Sequence, residues 1–295
     1  MSSDLLICPG CREVRDGRID LRTIEREPSG DVMACECGRR YPIIDGVPVV
    51  AGDPFIEPEQ SLEATRAQVL DGPDDALLPH LIDHLSIYMD AHWPPRGALV
   101  DKIKALPQVG AAVELGCSVG GMLAVQPADR LVGIELGLGP ARRARRLLAG
   151  ERVAYLRRVI GRHYEVAEAE GIARDAKIVC GDALDPPLVP GAFDRVVALN
   201  VLDSVASPRQ LLSVIDALAR PGGEIVLSCP YQWASEERIG GADPAADLVA
   251  ILRDGAGLRA PYTLLDEAEL DWTLRRNARS DVGYRIHYLR ARKGS

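Results

Sequence analysis

The chain has 295 residues, 47% of them apolar and 26% charged, with a formal net charge of −8. That length holds one full α/β core and a smaller attachment, and no apolar run approaches the roughly 20 residues that span a bilayer, so no membrane segment is expected. The negative balance disfavours a protein that grips nucleic acid over a broad surface. The opening MSSDLLICPGC has neither a basic n-region nor a long apolar run, so no secretory signal is read and a cytoplasmic location is expected. In that reducing setting seven cysteines suit metal ligands or buried thiols better than disulfides.

Cys8 and Cys11 form C-x2-C, and Cys35 and Cys37 form C-x-C. Two close pairs suit one tetrahedral zinc ion, because each short turn presents two sulfurs and the spacer closes as a hairpin. Four thiolates leave no open coordination position, so the zinc would be structural and would supply much of the folding free energy of an apolar-poor segment. Four unrelated reduced cysteines are the plainer alternative. With GRRYPIIDGVPVV after the second pair, residues 1–52 resemble the zinc-ribbon activator protein that binds tRNA and translation-factor methyltransferases. There the second cysteine pair is followed by a similar YPI-x-DG-x-P segment. The spacer here has no room for that protein's helical insert. The resemblance implies a ribbon fold and a docking role, which the tether would direct onto the chain's own next domain at high effective concentration.

Residues 53–75, acidic and punctuated by proline and glycine, read as a linker. Residues 76–110 open with LLPHLIDHLSIYMDAHW, a helical pattern that sets His80, His84, Tyr88 and His92 four apart along one stripe. At 1.5 Å per residue the histidines span about 18 Å, too far for one ion, so a helical lid over a pocket is the preferred reading, with His84 a candidate to face the chemistry. From 111 to 295 the pattern repeats strand, turn, helix. AAVEL, RLVGIE, AKIVCGD, FDRVVALN and GGEIVLSCP are strand candidates, the earlier ones spaced for crossover helices. LDWTLRRNA and YRIHYLRAR predict a terminal antiparallel hairpin turning near Ser280 to Gly283.

The turn after AAVEL fits two templates. As G-x-G-x-x-G it uses Gly116, Ser118 and Gly121, a dinucleotide fingerprint without its middle glycine. As acid-x-G-x-S-x-G it uses Glu114, Gly116, Ser118 and Gly120, and resembles the turn of class I S-adenosylmethionine-dependent methyltransferases. Glu135, ending LVGIE, could accept a ribose diol in either kind of protein. Asp182, ending the third strand in CGDA, sits where the methyltransferases commonly place an acid for the adenine amine. Glu114 also suits a cationic cofactor better than a pyrophosphate, which it would repel. With ALN and ARPGGEIVLS further on, the series resembles that fold over roughly residues 111 to 290. The resemblance implies cofactor contacts at Glu114, Gly116, Cys117, Ser118, Gly120, Glu135, Leu136, Asp182, Ala183 and Asn200. Any one acid could equally be structural, but acids at three successive strand ends border the ligand crevice of a doubly wound sheet.

Acceptor residues should follow the fourth and fifth strands. LNVLDSVASP and SCPYQW, with the later LRRNARS, resemble the methyltransferase part of ovothiol biosynthesis enzymes, which implies substrate contacts at Asp203, Tyr231, Trp233, Arg276 and Arg279. The tryptophan-leucine-glycine-glycine that follows in that family is here reduced to Ile239, Gly240 and Gly241. Tyr231 and Trp233 could face an aromatic or cationic acceptor or simply pack a loop, and the two arginines could hold a carboxylate or lie on a solvated face. ARRARRLLAG and YLRRVIGRH predict a basic helical surface.

The fold expected is α/β, a Rossmann-like class I methyltransferase sheet with a terminal antiparallel hairpin, plus a small N-terminal zinc ribbon. The activity expected is methyl transfer from S-adenosylmethionine to N, O or S of a small-molecule acceptor such as an imidazole, thiol or aromatic. A non-catalytic scaffold that binds a protein or RNA partner is the alternative, and a nicotinamide-dependent oxidoreductase a distant third. The oligomeric state is left open.

Overall fold

In the computed structural model the residues described are 5–11, 14–15, 18–19, 21–50 and 86–295. The linker expected at 53–75 and the candidates His80 and His84 lie outside them. The N-terminal segment holds short strands, as its scarcity of apolar residues demands. They are β1 (Val14–Arg15) paired with β2 (Arg18–Ile19), and an antiparallel set β3 (Glu25–Arg26), β4 (Val32–Ala34), β5 (Arg40–Ile44) and β6 (Val47–Pro48) in that spatial order.

Residues 86–92 are helical, followed by α1 (Ala98–Lys104), β7 (Val109–Leu115), α2 (Gly121–Val125), β8 (Ala128–Glu135), α3 (Leu138–Leu148), β9 (Val153–Ile160), β10 (His163–Ala169) and β11 (Ala176–Cys180). Then come β12 (Phe193–Leu199), α4 (Pro208–Leu218), β13 (Ala219–Cys229), α5 (Pro244–Asp254), β14 (Tyr262–Asn277) and β15 (Ser280–Lys293). Seven strands form one sheet in the order β11-β8-β7-β12-β13-β15-β14, the first five parallel and the last two antiparallel. The parallel strands are apolar runs because helices cover both faces. Ala112, Val113 and Leu115 of β7 and Val196 and Val197 of β12 are all buried. From β7 the chain winds outward to β8 and β11, then returns to the other side at β12, so a topological switch point lies between the C-terminal ends of β7 and β12.

Local signals set the later helix starts. Pro208 and Pro244 occupy first turns, while Ser207 Oγ accepts from Gln210 N at 3.3 Å and Asp243 Oδ1 from Ala246 N at 3.1 Å.

Three expectations need correction. The stretch 98–104, included in the lid, is α1, and its Leu99 and Ile103 pack in one cluster with Val197, Val226, Ile286 and Tyr288 of the sheet. YLRRVIGRH is not helical: it supplies most of β9 and the turn into β10, where alternate inward residues such as Val153 and Tyr155 are buried under the arginine-rich face. The hairpin turns at 278–279, just before the expected position, since Asn277 already pairs with Ser280.

The N-terminal segment is joined to the sheet edge. Val49 pairs in parallel with Cys180, and Val50 N donates to Cys180 O at 2.8 Å. Ile7 N donates to Pro187 O at 3.0 Å, and Val189 N to Leu5 O at 3.1 Å. Leu6, Ile24, Met33 and Val50 share one apolar cluster with Ile134, Val179 and Leu188, and Asp45 pairs with Arg142 of α3. The exposed edge that β11 would otherwise present is thereby covered.

Candidate active site

At the end of β7 the chain needs positive φ at Gly116 (73°), Ser118 (49°) and Gly120 (82°) to turn under the sheet's edge. Glycine at 121 is set by space: a Cβ there would lie 2.2 Å from the carbonyl oxygen of His92. The helical segment 86–92 therefore sits directly on the turn. Tyr88 and His92 stack at 5.6 Å, and His92 meets Trp272 of β14 at 5.9 Å. Burial pulls the His92 imidazole down to about 4, so the ring is neutral at pH 7.

Acidic groups converge beneath it. Glu135 accepts from Ser118 N at 2.8 Å and Gly137 N at 3.0 Å, and burial raises its carboxyl despite these bonds. Glu114 is 3% exposed, and its carboxyl is held well above the usual range by burial and then by the charge of Glu135. Glu114 Oε2 and Ser118 Oγ are buried without a hydrogen-bond partner. Two orphaned polar atoms and two crowded acids at the neighbouring ends of β7 and β8 fit a ligand that brings hydrogen-bond donors and positive charge.

The other expected cofactor residues lie around the same strand ends. Asp182, half-buried after β11, accepts from Leu184 N at 2.8 Å through Oδ1, with Ala183 half-buried beside it. Leu136 is 56% exposed, a large apolar face left open next to Glu135. Asn200, in the left-handed region at φ 56°, is tied to β13 through Ser228, whose Oγ donates to Asn200 Oδ1 at 2.8 Å. The Cys117 thiol is buried near Gly133 of β8, so its main chain is the part presented at the turn.

On the acceptor side Asp203 lies beneath the loop that follows β13. It is 3% exposed, Oδ2 accepts from Gln232 N at 2.7 Å and its carbonyl accepts from Ala234 N at 2.8 Å, so it holds the 231–234 loop at the end of β13. That loop carries Tyr231, itself at φ 57°, with Trp233 5.8 Å away ring to ring. Tyr231 Oη lies 2.6 Å from His287 Nδ1, and His287 Nε2 lies 2.9 Å from Glu267 Oε1. Neither His287 nor Glu267 is marked by the sequence, because their meeting depends on the register of β13 and β14 against β15. Arg276 and Arg279 are exposed near the hairpin tip, and His84 lies outside the described residues.

The four cysteines come together at the other end of the molecule's N-terminal segment. Their sulfurs all lie within 4.8 Å, with Cys8 to Cys37 at 3.8 Å and Cys11 to Cys35 at 3.7 Å. A tetrahedral ion with zinc–sulfur bonds near 2.3 Å would space them at about 3.8 Å. Burial pushes the Cys11 and Cys35 thiols up, while a hydrogen bond from the Arg39 backbone pulls Cys37 down to about 7. The Tyr41 hydroxyl, 3.1 Å from Cys8 Sγ, supplies an outer hydrogen bond.

Residues 113–227 match the family described as Methyltransferase domain. The ubiquinone biosynthesis O-methyltransferases of Pseudomonas aeruginosa strains are 29% identical over 119 residues, 39% of this chain and 42% of theirs. The match thus spans about two fifths of the curated relatives' length. Among solved structures, the complex between the Haloferax volcanii Trm112 methyltransferase activator and a methyltransferase is 14% identical, covering 80% of this chain and 100% of that one at a TM-score of 0.46. An S-adenosylmethionine-dependent methyltransferase of Methanosarcina mazei is also 14% identical, covering 66% and 97% at 0.44. The strand order and directions give the part that contains residues 113–227 a Rossmann-like α/β fold, in keeping with its match to a methyltransferase domain. Among the described residues no helix is long and apolar enough to cross a membrane.

Proposed function

We propose that the chain is an S-adenosylmethionine-dependent methyltransferase that acts on a small-molecule acceptor, with a structural zinc ion in its N-terminal segment. The observation that carries this reading is the glycine turn, where Glu114 Oε2 and Ser118 Oγ are buried and unpartnered beside Glu135. In this reading Glu114 and the 116–120 main chain hold the cationic end of the cofactor, Glu135 the ribose, and Asp182 the adenine amine, with Leu136 against the base. The cofactor supplies an electrophilic methyl group on a sulfonium. The chain's task is to align the acceptor, exclude water and remove a proton where the acceptor carries one. The segment 86–92 serves as the lid over that crevice. Zinc holds Cys8, Cys11, Cys35 and Cys37, and the ribbon so formed acts as a built-in docking partner for the sheet edge at β11.

The curated relatives are O-methyltransferases, so phenols join imidazoles and thiols at the head of an acceptor screen. The deciding measurement is calorimetry with S-adenosylmethionine and S-adenosylhomocysteine on the wild-type chain and on Asp182→Ala. Micromolar binding in the wild type, weakened about tenfold or more in the variant, is expected from loss of a hydrogen bond to a charged group. A folded, zinc-loaded wild type that binds neither compound would overturn the reading in favour of a scaffold.

A further inference from the structure

Tyr231, His287 and Glu267 come from three separate segments: the loop after β13, β15 and β14. The His287 side chain is 3% exposed and that of Glu267 is 44% exposed. A nearly enclosed imidazole is thus joined at one nitrogen to a phenol at a crevice-bordering strand end, and at the other to a carboxylate open to water. A carboxylate oxygen can only accept, so the Nε2 contact is made by an Nε2–H and leaves Nδ1 to accept from the Tyr231 hydroxyl. The chain of bonds then has one direction, from the crevice to solvent.

We propose that Tyr231, His287 and Glu267 form a proton relay that takes the proton of the methyl acceptor, which attacks through an oxygen or nitrogen still carrying hydrogen. The proposal rests on the methyltransferase reading above. As the acceptor atom bonds to the methyl carbon, the carbon–sulfur bond breaks with its electron pair retained on sulfur. The acceptor's proton passes to Tyr231 Oη, the phenol proton to His287 Nδ1 and the Nε2 proton to Glu267 Oε1, from which water removes it; proton exchange with water after product release then restores the Nε2–H tautomer. The positive charge that arrives with the donor leaves as that proton, so charge and atoms balance. Burial, with Cys229, Glu269, Glu267 and Asp243 around it, raises the Tyr231 phenol, which therefore gives up its proton only while receiving another. The same acidic surroundings, with the faces of Tyr231 and Trp233, favour a neutral or cationic acceptor over an anionic one.

Glu267→Gln separates a relay from a structural hydrogen bond, because the amide oxygen still accepts from Nε2–H but cannot take a proton. On the full chain with isotope-labelled tyrosine and histidine, NMR reads hydroxyl exchange at Tyr231 and the tautomer of His287. The relay requires a neutral imidazole protonated at Nε2 in the wild type, and exchange slowed about tenfold or more in Glu267→Gln with donor binding unchanged by calorimetry. Glu267→Asp should recover part of the rate. Exchange as fast in Glu267→Gln as in the wild type, or a proton resident on Nδ1, would overturn the relay and leave the cofactor reading standing. A wild type that does not bind S-adenosylmethionine would overturn both.

Discussion

His92 shows how a single residue ties the lid to the chemistry beneath it. Its carbonyl rests against Gly121 and its ring lies between Tyr88 and Trp272, so burial depresses the imidazole from 6.5 to about 4. A folded state that disfavours the proton is stabilised, relative to the unfolded chain, at every pH above 6.5. That contribution falls as the pH drops from 6.5 towards 4 and is gone below it. Comparing urea melts of wild type and His92→Phe across this window should show the wild type losing up to about 3 kcal/mol more than the variant. Parallel curves would mean that the imidazole is not held neutral. At this scale the sequence placed Glu114, Glu135 and Asp182 at strand ends, because each stands in or next to its own apolar run. It was silent on His287 and Glu267, since a strand slipped by one position would place both on the opposite face. Nor could it show that Asp203 accepts from Gln232 N, a contact that depends on how the loop after β13 folds back.

Among the elements, the parallel strands were legible because burial on both faces leaves uninterrupted apolar runs. The β9–β10 hairpin was not, because arginines on its outer face, such as Arg157 paired with Glu165, imitate the charged side of a helix. Nor could apolar spacing tell α1, which packs on the sheet, from the segment 86–92, which packs on the glycine turn. The edge pairing of β11 is the element whose removal has the clearest consequence. Val50→Pro deletes the N–H that bonds Cys180 O, while Val50→Ala keeps it and loses only packing. Both should destabilise the chain, and the proline variant should be worse by about 1–3 kcal/mol in thermal or urea unfolding. Equal losses would assign the joint to apolar contact alone.

For the whole molecule, one apolar cluster runs from Ile24 and Met33, between the cysteine pairs, through Val50 to Val179 and Leu188 of the larger part. Metal bound by the four cysteines should therefore stabilise the distant sheet as well as the segment that holds it. Chelation of zinc, or Cys8→Ser with Cys35→Ser, is expected to lower the unfolding midpoint by about 5 °C or more and to increase binding of an apolar dye. A melting curve indifferent to the metal would show that the two parts are stable independently.

The bridge between Val49 and Cys180 also orders events during synthesis. About 130 residues separate the two, so at roughly 5–20 residues per second the ribosome makes the ribbon some 7–25 seconds before its docking edge. The first segment must wait with Val49 and Val50 uncovered, and it completes its core only when the later edge emerges beside it.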